Sequence, residues 1–229
     1  SSDLSAGGGG REVLVGWEED FFPGRDPRAG AAQIDLGRFY TAPLSLAAYP
    51  SFGPFRTDHD LRDLPAGLVT WDNIPFDVRG IIQLTRSEPR GGLFQRGWER
   101  LTRRVGDIPV GRRCARLHVV HGCVFPEDDG KVIGTYVCEY PDGTRLPLGI
   151  VYGEEVRSFL GGGNAGSLAT PRGRRIWQGR SRGTHPSPQF LGVFMSTYAN
   201  PRPGEEIVRL HFESAMTRSA PFLVALSVE

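Results

Sequence analysis

The segment from Ile108 to Gly153 constrains the fold more than any other part of the chain, because it alternates β-type stretches with turn signals. The stretches are rich in β-branched and aromatic residues and cover residues 115–125, 131–140 and 145–152. Asp129-Gly130 and Asp142-Gly143 lie between them, and Asp-Gly favours hairpins because glycine accepts the positive φ of a tight turn. The pattern predicts a three-stranded β-meander.

The first of these stretches is apolar on both of its faces. Leu117 and Val119 fall on one face, whereas Val120 and Val124 fall on the other. The second stretch, 131–140, has no cleanly polar face either. Strands of this kind are usually covered on both sides or lie in the middle of a sandwich, and we predict this for both stretches. The third stretch contains Pro147, which cannot donate to a β-ladder and therefore predicts an edge strand or a bulge.

The remaining sequence also has the composition of an all-β chain. Its 229 residues include 31 glycines and 18 prolines spread among short apolar stretches, which favours many turns and few helices. Further strands are predicted at 33–39, 68–71 continuing past a bulge into 74–78, 80–84, 174–178, 189–198, 206–214 and 220–228. We therefore predict an all-β fold, an antiparallel β-sandwich (jelly roll) with long loops and at most one or two short helices.

The strand pattern predicts a single folded domain. Residues 11–229 are expected to form a single β-sandwich domain, and the glycine-rich residues 1–10 read as a linker or cloning remnant. The spacing of Trp98, Leu101 and Val105 suggests one short helix.

Charge, hydropathy and cysteine spacing argue against several classes of partner and site. The formal net charge is +1, so no nucleic-acid partner is expected. No apolar stretch is long enough for a membrane span, no signal peptide is present, and the compartment is left open. Cys114, Cys123 and Cys138 are odd in number and irregular in spacing, which fits neither a disulfide framework nor a zinc site. We predict buried, reduced thiols.

An ordered set of short motifs resembles a known module. The motifs are LPxG at 64–67, IPFDV at 74–78, IPVG at 108–111, LxxxHG at 117–122, YxDG at 140–143, NPxP at 200–203 and the closing PFLVALSVE. This order resembles the galactose-binding-like β-sandwich modules appended to bacterial glycoside hydrolases and other multidomain bacterial proteins. The resemblance covers residues 33–229. It implies a jelly roll with carbohydrate-binding or interaction roles and no catalysis of its own, and it carries over no ligand site.

The residues give little support for catalysis. Nucleophilic catalysis needs a serine or cysteine with a histidine and an orienting acid, and no GxSxG elbow occurs. His121 and Cys123 share a strand face, but such spacing is unspecific. The acidic loop Glu127-Asp128-Asp129 offers oxygen ligands for a structural calcium ion, with a solvated turn as the alternative. No other cofactor is expected.

Sugar binding needs an aromatic platform for the apolar face of the ring and polar side chains at its edge. The candidates in the late loops are Trp177, Tyr198, Asn200 and Arg202, and a second group is Trp71 and Asp72. Both tryptophans have a core position as the alternative. The arginines at 172, 174, 175, 180 and 182 suggest contacts to acidic sugars or to nucleic acid, or else a solvated basic face.

These observations predict a non-catalytic, carbohydrate-binding accessory module. One alternative is a structural or protein-interaction domain of a larger bacterial protein, whose partners would be neighbouring domains or another chain. A weaker alternative is a β-sandwich enzyme that acts on polysaccharide.

Overall fold

The structure is a computed structural model that describes residues 22–45, 59–87, 101–161, 172–181 and 190–229. The strands in these ranges are β1 (Gly67–Trp71), β2 (Ile74–Val78), β3 (Ile82–Gln83), β4 (Arg104–Arg113), β5 (Arg116–Val124), β6 (Val132–Glu139), β7 (Arg145–Val151), β8 (Leu160–Gly161), β9 (Gly173–Arg180), β10 (Phe190–Ala199), β11 (Glu206–Ser214) and β12 (Ala220–Val228). The described ranges contain no helix, and hence none that is long and apolar enough to cross a membrane. The predicted linker 1–10 and Trp98, the first residue of the predicted short helix, lie outside the described residues. The rest of that helix prediction is wrong, because residues 101–103 are not helical and Val105 lies in β4.

The strands form two antiparallel sheets and a hairpin. One sheet has the order β3-β12-β5-β10, with β8 and β9 both pairing with β10. The other sheet has the order β4-β11-β6-β7, and β1 pairs with β2. The chain crosses between the sheets at β3–β4, β4–β5, β5–β6, β7–β8, β10–β11 and β11–β12. This alternation is the double-sheet arrangement of a jelly roll, so the predicted fold class is confirmed.

Two apolar clusters lie on opposite faces of the six-stranded sheet. The inner cluster fills the space between the two sheets and includes Leu117, Val119, Tyr136 and Phe212. The outer cluster lies on the other face of the six-stranded sheet, beneath the β1–β2 hairpin, and its members include Val120, Val124, Phe76 and Phe222. β5 is therefore buried on both faces, as its pattern predicted, because the β1–β2 hairpin and its surroundings cover the face that the second sheet does not. For β6 the same prediction is wrong, because residues 135, 137 and 139 on its other face are only half-buried.

The predicted meander is wrong at its first turn. β5 and β6 do not pair; they lie in different sheets, whereas β6 and β7 form a hairpin around Asp142-Gly143. The Asp129-Gly130 turn does form, with φ +84° at Gly130. However, the Gly130 N–H donates to Tyr152 O at 2.9 Å, which draws the chain toward the end of β7 rather than back along β5.

Three further strand predictions have mixed outcomes. β7 is an edge strand, so the prediction from Pro147 is confirmed. Residues 68–78 form two strands rather than one bulged strand, because Asp72 and Asn73 both take positive φ (52° and 64°), as a tight hairpin turn requires. The strand predicted at 33–39 is reduced to an isolated bridge between Gln33 and Ser227.

Candidate functional site

The turn of the β1–β2 hairpin meets β9 on the outer face of the six-stranded sheet. Asp72, at the first turn position, forms an ion pair with Arg174 near the start of β9. Trp71 precedes the turn and is half-buried, with its ring 5.8 Å from that of Phe76 in the outer cluster. The hairpin thus places an indole and a carboxylate beside β9.

Trp177 lies farther along β9 and packs against the same outer cluster. It pairs with Val193 of β10, whose side chain belongs to that cluster. The indole lies along its own strand over Gly179, where an added Cβ would come within 2.3 Å of the ring atom Cη2. Glycine at 179 therefore leaves the space that the half-buried indole occupies. We call Trp71, Asp72, Arg174 and Trp177 the tryptophan face.

Contacts at the end of β7 anchor the beginning of β9. The backbone N–H groups of Arg172 and Gly173 both donate to Glu154 O at 2.9 Å. The Arg172 guanidinium lies 2.6 Å from an oxygen of Glu155, whose side chain is 4% exposed and accepts a 2.7 Å hydrogen bond from Val151 N. Burial raises the pKa of the Glu155 carboxyl, while the Val151 N–H and Arg172 act in the opposite direction. β9 is therefore held in place by a partly buried ion pair.

Tyr198 and Asn200, which were predicted to join Trp177 in a sugar site, lie elsewhere. The Tyr198 ring is only 9% exposed and belongs to the inner cluster, with its centroid 5.7 Å from that of Tyr136. Asn200 is 4% exposed; its amide nitrogen donates to Cys114 O at 2.9 Å and its oxygen accepts from the Tyr140 hydroxyl. Both side chains fill the interior because β10 turns these positions toward the second sheet or its connections. They present no surface platform.

Arg202 lies on the β10–β11 connection and is bound to the β6–β7 turn. Its guanidinium contacts Asp142 at 2.8 Å and Glu205 at 3.2 Å, and it lies 5.2 Å from the centroid of the Tyr140 ring. Among the residues predicted for sugar binding, the structure places Trp71, Asp72 and Trp177 on the outer face of the six-stranded sheet. Sequence reasoning placed these in two separate groups and gave Arg174 only as one of several arginines.

The acidic loop predicted to bind calcium is paired with arginines. Arg218 donates to Glu127 at 2.6 Å and to Asp128 at 3.0 Å, whereas Asp129 receives two hydrogen bonds from Arg157 at 2.8 and 2.9 Å. The arginine contacts lower the pKa of both the Glu127 and the Asp129 carboxyl groups. Within the described ranges, no three or more His, Cys, Asp or Glu side chains are grouped to hold a metal ion. Calcium binding stays a prediction.

A buried serine–histidine pair was missed by the sequence reading. His121 is fully buried, with Nε2 2.9 Å from Ser196 Oγ and Nδ1 3.0 Å from the Tyr136 hydroxyl. Ser196 Oγ donates to the backbone oxygen of Glu155 at 3.1 Å. One assignment of protons satisfies all three bonds: Tyr136 donates to Nδ1, Nε2–H donates to Ser196, and Ser196 donates to the carbonyl.

This proton arrangement differs from that of an activated nucleophile. A catalytic serine donates to its histidine, whereas here the histidine donates to the serine. Burial lowers the pKa of His121 from 6.5 to about 3, so the ring is a poor base. The sequence gives little sign of this network. His121 and Ser196 lie on predicted strands, but they are 75 residues apart, and nothing in the sequence shows that these strands pair. His121 is thus a core histidine whose ring nitrogens are bonded to side chains of the neighbouring strands β6 and β10.

The three cysteines are buried, and few large hydrophobic side chains are exposed in the described ranges. Cys114, Cys123 and Cys138 are free and buried, so the prediction of buried reduced thiols is confirmed. Burial raises the pKa of both Cys123 and Cys138 to about 12. Of the large hydrophobic side chains that the structure describes, Val132 alone is exposed, at 42%.

No protein-family model matches the chain, and no curated protein matches it at the significance required.

Proposed function

We propose that this domain is a non-catalytic module that binds carbohydrate on its tryptophan face. The observation that carries the proposal is the convergence of Trp71, Asp72, Arg174 and Trp177 on one side of the six-stranded sheet. Half-buried indoles offer an apolar surface for the carbon–hydrogen face of a pyranose. The carboxylate and guanidinium beside them offer an acceptor and donors for its hydroxyl groups.

The finer assignment to a galactose-binding-like module is part of the same proposal. It is supported by the motif order in the sequence and is compatible with the jelly-roll strand order. A structural or protein-interaction module is the alternative, and it would place its contacts on a surface that carries few large apolar side chains among the described residues. A polysaccharide-active enzyme would need two converging carboxylates or a nucleophile that a substrate can reach. The Ser196–His121 pair is buried from solvent.

The proposal is tested with a glycan-array screen of the wild type and of Trp177→Ala, with and without calcium. Wild-type binding should be selective, and loss of one stacking indole should weaken it roughly tenfold or more. Ile176→Ala is the matched control, because Ile176 is on the same strand and also packs against the outer cluster. It should retain binding, and circular dichroism should show that both variants are folded.

Two results would contradict the proposal. Failure of the wild type to bind any glycan would favour the protein-interaction module. Equal binding by the wild type and a folded Trp177→Ala variant would place any sugar site elsewhere. Binding that depends on calcium would support the predicted role of Glu127, Asp128 and Asp129.

A further inference from the structure

Arg172, just before β9, and Arg174, within it, are both paired with carboxylates, and the second pair lies on the tryptophan face. The ion pair between Arg174 and Asp72 lies at the surface, with the two side chains 61% and 37% exposed. Arg172 is paired with Glu154 at 2.5 Å and with Glu155 at 2.6 Å. The arginines from 172 to 180 suggest a basic strand by residue type, but Arg172 and Arg174 are matched by carboxylates in the folded protein.

We infer that the tryptophan face selects neutral sugars over carboxylated or sulfated ones. The inference rests on the proposed function and names its ligand class. Asp72 and Arg174 together present a negatively charged acceptor next to a positively charged donor. Adjacent sugar hydroxyls match this pair, because each hydroxyl both donates and accepts hydrogen bonds. An anionic sugar could bind the Arg174 guanidinium only close to the Asp72 carboxylate or in its place. The negative charge of that carboxylate repels an anionic group.

The backbone holds Asp72 in place for this role. Asp72 and Asn73 occupy the two central positions of the β1–β2 turn, both with positive φ, and the flanking pair Trp71 and Ile74 closes the ladder. A carboxylate on a short side chain in a tight turn has few rotamers to lose upon binding. Asparagine also tolerates positive φ, so Asp72→Asn removes the charge and keeps the turn.

The experiment compares neutral oligosaccharides with oligogalacturonate and sulfated oligosaccharides on the same array and by calorimetry. The wild type should bind at least one neutral glycan and should bind the anionic probes more weakly. Asp72→Asn should weaken neutral binding about tenfold, because a charged acceptor is lost, and should strengthen anionic binding about fivefold, because Arg174 is released. Arg174→Gln should lose neutral binding without any gain for the anionic probes.

Asp142→Asn is the matched control. Asp142 is also an exposed turn aspartate with an arginine partner, Arg202 at 2.8 Å, but it lies on the β6–β7 turn. This variant should leave both affinities unchanged. A wild type that prefers anionic glycans, or an Asp72→Asn variant with an unchanged preference, would overturn the inference while leaving carbohydrate binding intact. A wild type that binds no glycan would overturn the proposed function and the inference with it.

Discussion

The buried histidine of the inner cluster should make the stability of this domain depend on pH. His121 has a pKa of about 3 in the folded protein, against 6.5 for a solvated histidine, because burial disfavours the imidazolium. Between these two values the unfolded chain binds a proton that the folded chain does not, so the free energy of unfolding falls as the pH falls. At pH 5, roughly 1.5 units below the unfolded pKa, the loss due to His121 is about 2 kcal/mol.

The assay is urea unfolding of the wild type and His121→Gln at pH 7 and pH 5, with linear extrapolation to water. Glutamine keeps a donor and an acceptor for Ser196 and Tyr136 but does not titrate, so the variant should lose about 2 kcal/mol less than the wild type on acidification. Ser196→Ala is the control, because it leaves Nε2–H without its acceptor and should lower stability by about 1–3 kcal/mol at both pH values. It retains the titrating ring and therefore the pH dependence.

Parallel pH profiles for the wild type and His121→Gln would refute this reasoning. They would mean that the folded protein accepts a proton at His121 near pH 6, which requires water or an acidic partner at a ring that the structure encloses among Tyr136, Tyr198 and Ser196.

Two further substitutions test other buried contacts. Arg79→Met removes the main partner of the buried Asp77 carboxylate, to which Arg79 donates at 3.0 and 3.1 Å. The free energy of unfolding should fall by about 3 kcal/mol or more, because an unpaired charge is left buried. The control Arg116→Met breaks an exposed ion pair and should change the free energy of unfolding little in the same urea titration. Gly122→Ala should cost about 1–3 kcal/mol, because its Cβ would lie 2.5 Å from the buried ring of Phe222. An unchanged melting temperature for Gly122→Ala would show that the Phe222 ring moves aside freely.

Both Asp-Gly turns form where the sequence predicted them, but the prediction of which strands they join was wrong at the first turn. Gly130 and Gly143 both take the positive φ that the Asp-Gly signals predicted, yet only the second turn joins paired strands. A turn signal depends on local φ and ψ preferences, which are the same whether the chain returns along its own sheet or crosses to the facing one. At the first turn a hydrogen bond to Tyr152, distant in sequence, favours the crossing.

In the candidate site, too, residue types were predictable from the sequence, whereas their positions in space were not. Trp71, Asp72 and Trp177 were identifiable as candidates because tryptophan and exposed acids are the groups that sugar sites use. Tyr198 and Asn200 were equally plausible by residue type and proved to be buried. Side-chain direction along β10 depends on which face meets the second sheet, and the bulge between Val193 and Phe194 shifts its register against β9. A sequence pattern does not fix that register.

The amino-acid sequence was enough to predict the fold class, most strand positions and the two-sided burial of β5, and it narrowed β7 to an edge strand or a bulged strand. These properties follow from side-chain alternation, glycine and proline, which act within a few residues. Tertiary packing was needed to define which strands pair, which carboxylates contact Arg172 and Arg174, and that a β1–β2 hairpin carries Asp72 to Arg174. Each of these depends on contacts between residues far apart in the chain, whose energies become available only after the two sheets have packed against each other.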